Sequence, residues 1–589
     1  MGAIHYYEKE RVFKLDTPHT SYLIGIVDEE KFLGHIYYGA KITDYDVRAL
    51  MRTGEAPFVP SQNNRDRSSF LDTFPMEYPG HGVGDYRESA ISVSDKNGNT
   101  AVQPLYREHK IYAGKPGLPG LPATFGSEEE CETLEIVLAD EVLDLTVTLY
   151  YTAFYDVDVI TRSVRVTNHA KEPVYLTKVF STALDLDAED YRMLTLHGSW
   201  ARERQIEYRQ IGYGKQSVGS CRGESSHQEH PFVALVSANA GQEQGRVYGF
   251  HFVYSGNFLA QVEKNQFDSL RVVLGIHPQD FKWELKQDET FTAPEVVMTY
   301  SDAGLGRMTR TLHDLYRKHL IRSPYKDRER PVLINNWEAT YFDFDTEKLL
   351  AIAREAKKSG IEMLVMDDGW FGHRNDDNTS LGDWQVNEQK ITGGLKRLVD
   401  QVNEIGLKFG IWFEPEMISP DSELYRTHPD WAIALPGRMP CRSRNQYVLD
   451  LSRKEVRDYA YECVASILRS ANIAYVKWDM NRQLTDLGSG VLPVEKQGEL
   501  LHRYVLGVYE LQERLITEFP QLLLENCSGG GARFDPGMLY YSPQIWCSDD
   551  TDAIERLKIQ EGTALLYPLS AIGAHVSDCP NHTVGRATP

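Results

Sequence analysis

The chain has 589 residues, a formal net charge of −22 at pH 7 and a sequence pI near 5.3. This length exceeds what one hydrophobic core usually organises, so we predict two or three domains. The acidic balance argues against nucleic acid and anionic membrane surfaces as partners, because both select faces rich in Lys and Arg.

Targeting signals and cysteine spacing indicate the compartment. The first ten residues lack the basic start and apolar core of a signal peptide, and no apolar run approaches the ~20 residues that span a bilayer. The seven cysteines are odd in number and scattered without a CxxC pair, which disfavours a disulfide framework and a zinc site. We therefore expect a soluble, cytoplasmic protein.

The first half of the chain has the pattern of antiparallel strands. Residues 133–138, 143–151 and 163–168 alternate apolar and polar side chains between turns. A helical pattern follows over residues 304–323. These features predict an N-terminal antiparallel β-sandwich domain over residues 1–325, with the connecting helix at its end.

After about residue 330 the period changes, and short apolar runs alternate with amphipathic helical stretches. The runs are Val332–Trp337, Met363–Asp367, Phe409–Phe413, Ala474–Asp479, Leu522–Asn526, Gln544–Ser548 and Ala571–Val576. The helical stretches are Thr346–Ser359, Leu395–Glu404, Lys454–Ser470, Glu499–Glu518 and Asp552–Leu566. This alternation predicts a parallel sheet, and seven such units favour a (β/α)8 TIM-type catalytic barrel over residues 326–589.

Two predicted strands end in acids that suit glycoside cleavage, Asp479 and Asp549. A carboxylate at the carboxyl end of a barrel strand points into the open mouth, where such folds place their chemistry. One of these acids, Asp479, is placed to attack an anomeric carbon, and the other, Asp549, to protonate the departing oxygen. Glycoside hydrolysis uses two carboxyl groups in these two roles.

Neighbouring charges favour this division. Lys477 lies two residues before Asp479, so strand periodicity places both on one face, where the ammonium keeps the carboxylate ionised. Asp550 and Asp552 lie close to Asp549 in sequence. Like charges raise a carboxyl pKa toward the value that a proton donor needs.

Other acids and aromatic residues also lie at predicted strand ends. The acids are Asp367, Asp368, Glu414, Glu416 and Glu525, and the aromatic residues are Trp337, Trp370, Trp412 and Trp546. Taken singly, each acid has a structural hydrogen-bonding role as its alternative, and each tryptophan has core packing. Taken together, we interpret the acids as a ligand site, because uncompensated carboxylates repel each other, and the tryptophans as a platform for sugar faces.

Five ordered motifs resemble the bacterial α-galactosidases of glycoside hydrolase family 36. They are Leu-Val-Met-Asp-Asp-Gly-Trp-Phe (364–371), Trp-Phe-Glu-Pro-Glu-Met (412–417), Lys-Trp-Asp-Met-Asn-Arg (477–482), Glu-Asn-Cys-Ser-Gly-Gly-Gly (525–531) and Ser-Asp-Asp-Thr-Asp-Ala-Ile-Glu-Arg (548–556). Residues 71–79 in the N-terminal half are also similar to a family segment. The resemblance therefore covers nearly the whole chain.

The resemblance implies roles for individual residues. Asp479 matches the family's nucleophile, Asp549 its acid/base, and Asp367 with Asp368 the pair that grips the hydroxyls distinguishing galactose. Six further positions match sugar contacts of the family: Trp337, Trp412, Arg444, Lys477, Cys527 and Gly529. We also predict that Asn481 and Trp546 bind substrate. No cofactor and no metal are implied.

The resemblance also implies a homo-oligomer, a tetramer in which an N-terminal loop reaches a neighbour's site, and residues around Arg65 are the candidate for that loop. Two departures stand out. The third residue of the acid/base motif, often Asn in relatives, is Asp550, which leaves Asp549 and Asp550 both open as the general acid. The sequence stops soon after its seventh predicted strand, so we expect the barrel's last strand and a C-terminal β-domain to be absent and residues 1–589 alone to be insoluble or weakly active.

The main functional hypothesis is a retaining exo-α-galactosidase that removes terminal α-D-galactosyl residues from oligosaccharides such as melibiose and raffinose through a covalent galactosyl–aspartate intermediate. Two alternatives use the same scaffold, an α-N-acetylgalactosaminidase and a galactosyl transferase. A third belongs to another class of protein, a non-catalytic galactose-binding protein.

Overall fold

The computed structural model describes residues 2–43, 47–61 and 67–587. Arg65, the candidate for a loop that reaches a neighbouring subunit, lies outside these described residues. Within them, twenty strands precede the first long helix. They are β1 Ile4–Tyr7, β2 Val12–Asp16, β3 Thr20–Val27, β4 Phe32–Ala40, β5 Ile91–Ser94, β6 Leu105–Ala113, β7 Cys131–Asp140, β8 Leu145–Phe154, β9 Val159–Asn168, β10 Val174–Asp187, β11 Tyr191–His197, β12 Gln205–Gln210, β13 Gly214–Ser220, β14 Phe232–Ser237, β15 Val247–Phe252, β16 Phe258–Lys264, β17 Ser269–Ile276, β18 Trp283–Leu285, β19 Thr290–Thr292 and β20 Val296–Ser301.

These strands form three antiparallel sheets. Strands β1 to β4 make a four-stranded meander. A six-stranded sheet has the order β13-β16-β17-β10-β18, with β5 also paired to β10, and a ten-stranded sheet has the order β12-β11-β14-β15-β20-β9-β8-β7-β6, with β19 paired to β9. The two larger sheets contribute their apolar faces to one continuous buried core. The predicted N-terminal β-sandwich is confirmed.

A single helix leads from the sandwich to the second half of the chain. It is α1, Gly304–His319, and its buried face carries Leu305, Met308, Leu312 and Leu315 at the spacing of successive turns. This face packs against β20 and β15. The connecting helix predicted over residues 304–323 is therefore present and ends four residues earlier.

The second half alternates strands and helices. Its strands are β21 Leu333–Asn335, β22 Met363–Met366, β23 Lys408–Phe413, β24 Met417–Ile418, β25 Tyr447–Val448, β26 Tyr475–Trp478, β27 Leu523–Asn526, β28 Gln544–Trp546 and β29 Ile572–Gly573. Its helices are α2 Trp337–Thr340, α3 Thr346–Lys358, α4 Leu395–Ile405, α5 Glu423–Thr427, α6 Lys454–Ser470, α7 Leu500–Glu518, α8 Pro536–Leu539 and α9 Ala553–Ala564. Short 3-10 turns cover Val47–Leu50, Pro324–Lys326, Pro429–Trp431, Val494–Glu499 and Leu569–Ala571.

Seven of these strands form one curled parallel sheet in the order β21-β22-β23-β26-β27-β28-β29, while β24 and β25 pair separately. Each of the seven apolar runs predicted from the sequence overlaps one of these strands, and β23 begins one residue before its run. Because the strands are parallel, their carboxyl ends meet at one edge, where the functional side chains gather. The fold class, a sandwich followed by a TIM-type catalytic domain, is confirmed. The boundary between residues 325 and 326 stays a prediction.

Two features bear on the environment of the protein. In the part of the chain that the structure describes, no helix combines the length and hydropathy that crossing a bilayer requires. All seven cysteines, which lie within that part, are free thiols.

Candidate active site

The carboxylate of Asp479 lies immediately after β26 and is held by four hydrogen bonds. Its Oδ1 accepts from the backbone N–H groups of Met480 (2.9 Å) and Gly529 (3.3 Å). Its Oδ2 accepts from the indole Nε1 of Trp412 (3.0 Å) and the amide Nδ2 of Asn481 (2.9 Å). The residue is buried. These contacts fix the carboxylate in one orientation at the sheet edge.

The electrostatics of Asp479 favour the anion. Burial by itself raises the pKa of this carboxyl, but the ammonium of Lys477 and the hydrogen bonds from Trp412 and Asn481 outweigh burial and hold the pKa below its usual value. The ammonium of Lys477 is secured by Asp367, 3.1 Å away. Burial lowers the pKa of Lys477, but the charges of Asp367, Asp479 and Asp549 together contribute to a net pKa well above its usual value. The ion pair of Lys477 is therefore with Asp367, while its charge also favours the anionic form of Asp479.

The carboxylate of Asp549 follows β28 and is partly buried between two indoles. Trp546 Nε1 donates to Oδ1 and Trp200 Nε1 donates to Oδ2, each at 3.0 Å. The Asp549 charge acts on Lys477 and Cys527 across the sheet edge. Asp549 and Asp479 therefore lie in one cluster, at the ends of two strands that β27 separates.

Asp550 faces elsewhere. Its carboxylate accepts the backbone N–H of Asp552 (3.0 Å) at the start of α9. Burial, together with the charges of Glu555 and Asp552, raises the pKa of Asp550 above its usual value. Of the two acids that the sequence left open, only Asp549 contacts the indoles of the site.

Asp367 and Asp368 follow β22 and differ in their partners. Asp367 accepts from Asn335 Nδ2 (2.5 Å) as well as from Lys477. Asp368 receives two hydrogen bonds from the guanidinium of Arg374, from Nε (3.0 Å) and Nη2 (2.8 Å). Burial raises the pKa of Asp368 although Arg374 opposes this shift. Both acids thus have cationic neighbours, as converging carboxylates require.

Four further predicted substrate-binding residues surround Asp479. Arg444 Nη1 donates to Asn481 Oδ1 at 3.1 Å. Gly529 adopts a φ of 52°, a left-handed backbone that aims its N–H at Asp479. Burial and the Asp479 charge raise the pKa of the Cys527 thiol well above its usual value, so the thiol stays protonated. Cys527 is thus a protonated neighbour of the carboxylate and not a nucleophile.

The four predicted platform tryptophans have different environments. Trp337 and Trp546 are partly exposed at the sheet edge. Trp412 is 2% exposed and reaches the site through its N–H. Trp370 is fully buried and packs in an aromatic cluster beside Phe371, 5.2 Å between ring centroids. The prediction that Trp370 belongs to the platform is wrong, because its ring fills the layer beneath the site.

Two of the other strand-end acids have structural partners. Glu416 pairs with the buried guanidinium of Arg533 at 2.6 Å. Glu525 accepts hydrogen bonds from Tyr475 and Gln544. For Glu416 and Glu525, the structural hydrogen-bonding role is therefore the correct interpretation. Among the described residues no group of three or more His, Cys, Asp or Glu has the arrangement of a metal site.

Sequence reasoning missed the contribution of the sandwich to this site. Trp200 and Arg204 lie in the loop between β11 and β12, and His227 lies in the loop between β13 and β14. Arg204 is buried and donates to the backbone O of Gly531 (2.8 Å), and His227 Nε2 contacts the backbone O of Gly529 (2.7 Å). Trp200, 56% exposed, holds Asp549. No local pattern links these loops to strand ends more than 300 residues later.

Replacing Trp200 with Phe is expected to slow hydrolysis of natural oligosaccharides about 5-fold, because a lost hydrogen bond to a carboxylate costs about 1 kcal/mol at a partly exposed site. The kcat/KM for raffinose and for 4-nitrophenyl α-galactoside measures the effect, and the loss should be smaller for the activated aryl substrate. Trp431→Phe, at a ring that packs against His428 and Tyr459, serves as the matched control. Equal kcat/KM values for Trp200→Phe and wild type would remove Trp200 from the site.

A sandwich joined to a parallel α/β sheet, with one ionised and one indole-bound carboxylate at the strand ends, defines a glycoside hydrolase. Comparison with known families identifies which one. The Melibiase family matches residues 290–589, and the glycosyl hydrolase family 36 N-terminal domain matches residues 31–286. The chain belongs to glycoside hydrolase family 36.

Individual relatives are similar over almost the whole chain. Alpha-galactosidase AgaA of Geobacillus stearothermophilus is 53% identical over 99% of this chain and 80% of its own length. Alpha-galactosidase Mel36A of Lactobacillus acidophilus is 48% identical over 100% of this chain and 80% of its own. The crystal structure of the GH36 alpha-galactosidase AgaB from G. stearothermophilus superposes with a TM-score of 0.97 at 52% identity, over 100% of this chain and 81% of that one.

Proposed function

We propose that this chain is a retaining exo-α-galactosidase, which hydrolyses terminal α-D-galactosyl residues of oligosaccharides such as melibiose and raffinose. Asp479 acts as the nucleophile and Asp549 as the acid and then the base. The observation that carries this assignment is the set of four donors and one ammonium that keep Asp479 anionic and oriented.

The chemistry proceeds in two steps. An oxygen of Asp479 forms a bond to the anomeric carbon while the bond to the leaving oxygen breaks, and Asp549 gives that oxygen its proton. Water then attacks the anomeric carbon, loses a proton to Asp549 and releases Asp479. Asp367, Asp368 and Lys477 supply polar groups that face the sugar hydroxyls, and the partly exposed rings of Trp337 and Trp546 face its apolar side.

The relatives support the substrate class. A variant of AgaA from G. stearothermophilus has been crystallised in complex with raffinose, at 52% identity to this chain and a TM-score of 0.96. A second variant of the same enzyme has been crystallised with stachyose. Both ligands are oligosaccharides with a terminal α-linked galactose, so the same substrates are proposed here.

The test compares 4-nitrophenyl α-galactoside with its N-acetylgalactosaminide counterpart and follows the product anomer by NMR. The proposal expects turnover of the first substrate, little of the second, and α-galactose as the first product formed. Preference for the N-acetyl substrate would indicate an α-N-acetylgalactosaminidase, and galactosyl oligosaccharides as main products would indicate a transferase. Galactose binding without turnover would indicate a binding protein.

We also propose that the protein is a homo-oligomer, a tetramer by its family resemblance, and that it works in the cytoplasm. The seven free cysteines support a reducing compartment. Sedimentation velocity and cell fractionation test the two statements, and a monomer or a secreted protein would contradict them.

A further inference from the structure

Glu414 is a buried acid that the two-step mechanism leaves unused. It follows the last residue of β23 and is 1% exposed. Its Oε1 accepts two short hydrogen bonds, from the backbone N–H of Asn481 (2.5 Å) and from Nε2 of Gln446 (2.6 Å). It lies beside the nucleophile, because Phe413 and Trp478, the residues before Glu414 and Asp479, are paired in the sheet, and the Asp479 N–H donates to the backbone O of Phe413 (2.8 Å).

The contacts of Glu414 lead directly to the nucleophile. The backbone of Asn481 is tied to Glu414, and the side chain of Asn481 donates to Oδ2 of Asp479. The second donor to that oxygen is Trp412, which lies on β23 two residues before Glu414. Both groups that orient Oδ2 therefore lie on backbone segments adjoining Glu414.

Three charged groups act on Glu414 from different elements. Asp479 lies after β26, Arg444 lies in the loop before β25, and Arg374 lies in the loop after β22. Burial is the largest influence and, with the Asp479 charge, raises the pKa of Glu414 to about 7, while Arg444 and Arg374 oppose the rise. Near neutral pH the carboxyl is therefore divided between its two protonation states.

We propose that Glu414 is a positioning residue for the nucleophile, which holds Asn481 in place and loses and regains a proton as the charge on Asp479 disappears and returns in each turnover. The proposal rests on the proposed function, since it needs a covalent galactosyl–Asp479 intermediate.

The proton balance follows the two chemical steps. When Asp479 forms its ester bond to the anomeric carbon, its negative charge is lost and Glu414 no longer has an anionic neighbour. The pKa of Glu414 then falls, and its proton passes to solvent water. When water cleaves the ester, Asp479 recovers its charge and Glu414 takes a proton back from solvent.

The sign of the pH effect follows from this balance. The transition state of the first step, in which the Asp479 charge is already diminished, binds the Glu414 proton less tightly than the free enzyme does. The ionised form of Glu414 therefore reacts faster, and kcat/KM rises as pH increases through about 7. If the pKa of Glu414 is one unit lower in the transition state than in the free enzyme, the ionised form has a kcat/KM about tenfold higher than the protonated form.

The decisive experiment measures proton release when the intermediate is trapped. A 2-deoxy-2-fluoro-α-galactosyl fluoride is mixed with the enzyme in weak buffer with a pH indicator, and mass spectrometry counts the labelled Asp479. At pH 7 the wild type should release up to about half a proton per labelled site more than Glu414→Gln, because half of the Glu414 groups are protonated there. In the wild type alone, this release should pass through a maximum just below pH 7.

The outcomes separate this inference from the proposed function. Labelled Asp479 with equal proton release in wild type and Glu414→Gln overturns the role of Glu414 and leaves the covalent mechanism intact. No labelling of Asp479 in either protein overturns the covalent step and the inference with it. If Glu414→Gln does not fold, a wild-type release without a maximum near pH 7 overturns the inference by itself.

Steady-state kinetics test the positioning role. Glu414→Gln keeps an acceptor for Asn481 but cannot titrate, so the ratio of wild-type to variant kcat/KM on 4-nitrophenyl α-galactoside should rise with pH through 7. Glu414→Ala removes the acceptor, so kcat should fall more than tenfold at every pH, with KM changed less. A constant ratio for Glu414→Gln, or a wild-type kcat for Glu414→Ala, contradicts the inference.

Discussion

Replacing Asp479 with Asn is expected to abolish hydrolysis, with kcat reduced by about 10⁴-fold or more, while galactose affinity stays near the wild-type value. An amide has the size of the carboxylate, and its single oxygen can accept from Trp412 or from Gly529 but not from both, and it cannot attack an anomeric carbon. The kcat on 4-nitrophenyl α-galactoside measures the first effect, and calorimetric titration with galactose measures the second.

Two further variants sharpen this experiment. Asp400→Asn, at a solvent-exposed pair with Lys396 on α4, controls for the loss of one negative charge and should keep full activity. Asp479→Gly with added azide should regain turnover and yield β-galactosyl azide, because the small anion enters the space of the missing carboxylate. Wild-type-like hydrolysis by Asp479→Asn would refute the nucleophile assignment.

Replacing Asp549 with Ala is expected to separate substrates by their leaving groups. Raffinose needs a proton on its departing oxygen, so its kcat/KM should fall by about 10²- to 10⁴-fold, the usual contribution of a general acid. An aryl galactoside with an acidic phenol needs little protonation in the first step, and its kcat/KM should fall far less. Its kcat should drop, because the second step has lost its base.

The matched comparison is Asp550→Ala. The carboxylate of Asp550 accepts the N–H of Asp552 at the start of α9, so its loss should lower thermal stability and reduce activity on both substrates to the same degree. If the loss of activity depended strongly on the leaving group in Asp550→Ala and not in Asp549→Ala, Asp550 and not Asp549 would be the general acid.

The sequence alone predicted the elements of the second half well. Each of the seven apolar runs overlaps one parallel strand, and α6 covers the predicted residues 454–470. Strong hydrophobic periodicity and clear helix ends explain this agreement. The acids of the site could also be predicted from the sequence. They follow predicted strands, and the carboxyl ends of parallel strands meet at one edge of the sheet.

The sequence could not separate functional residues from structural ones at that edge. Glu414 and Glu416 lie two residues apart, yet Glu416 pairs with Arg533 while Glu414 lies beside Asp479. Trp370 and Trp412 both lie near strand ends, but only Trp412 reaches the nucleophile. Such differences depend on which distant partner fills the neighbouring space, and one sequence does not record that.

The contact between Trp200 and Asp549 joins residues 349 positions apart. A ribosome adds roughly 5–20 residues per second, so Trp200 is synthesised roughly 20–70 s before Asp549. We expect the sandwich to complete its own sheets during this interval, before the later contact partners of Trp200 and Arg204 have been synthesised. We therefore expect a nascent chain to acquire catalytic competence in one late event, when β28 docks against a sandwich that has already folded.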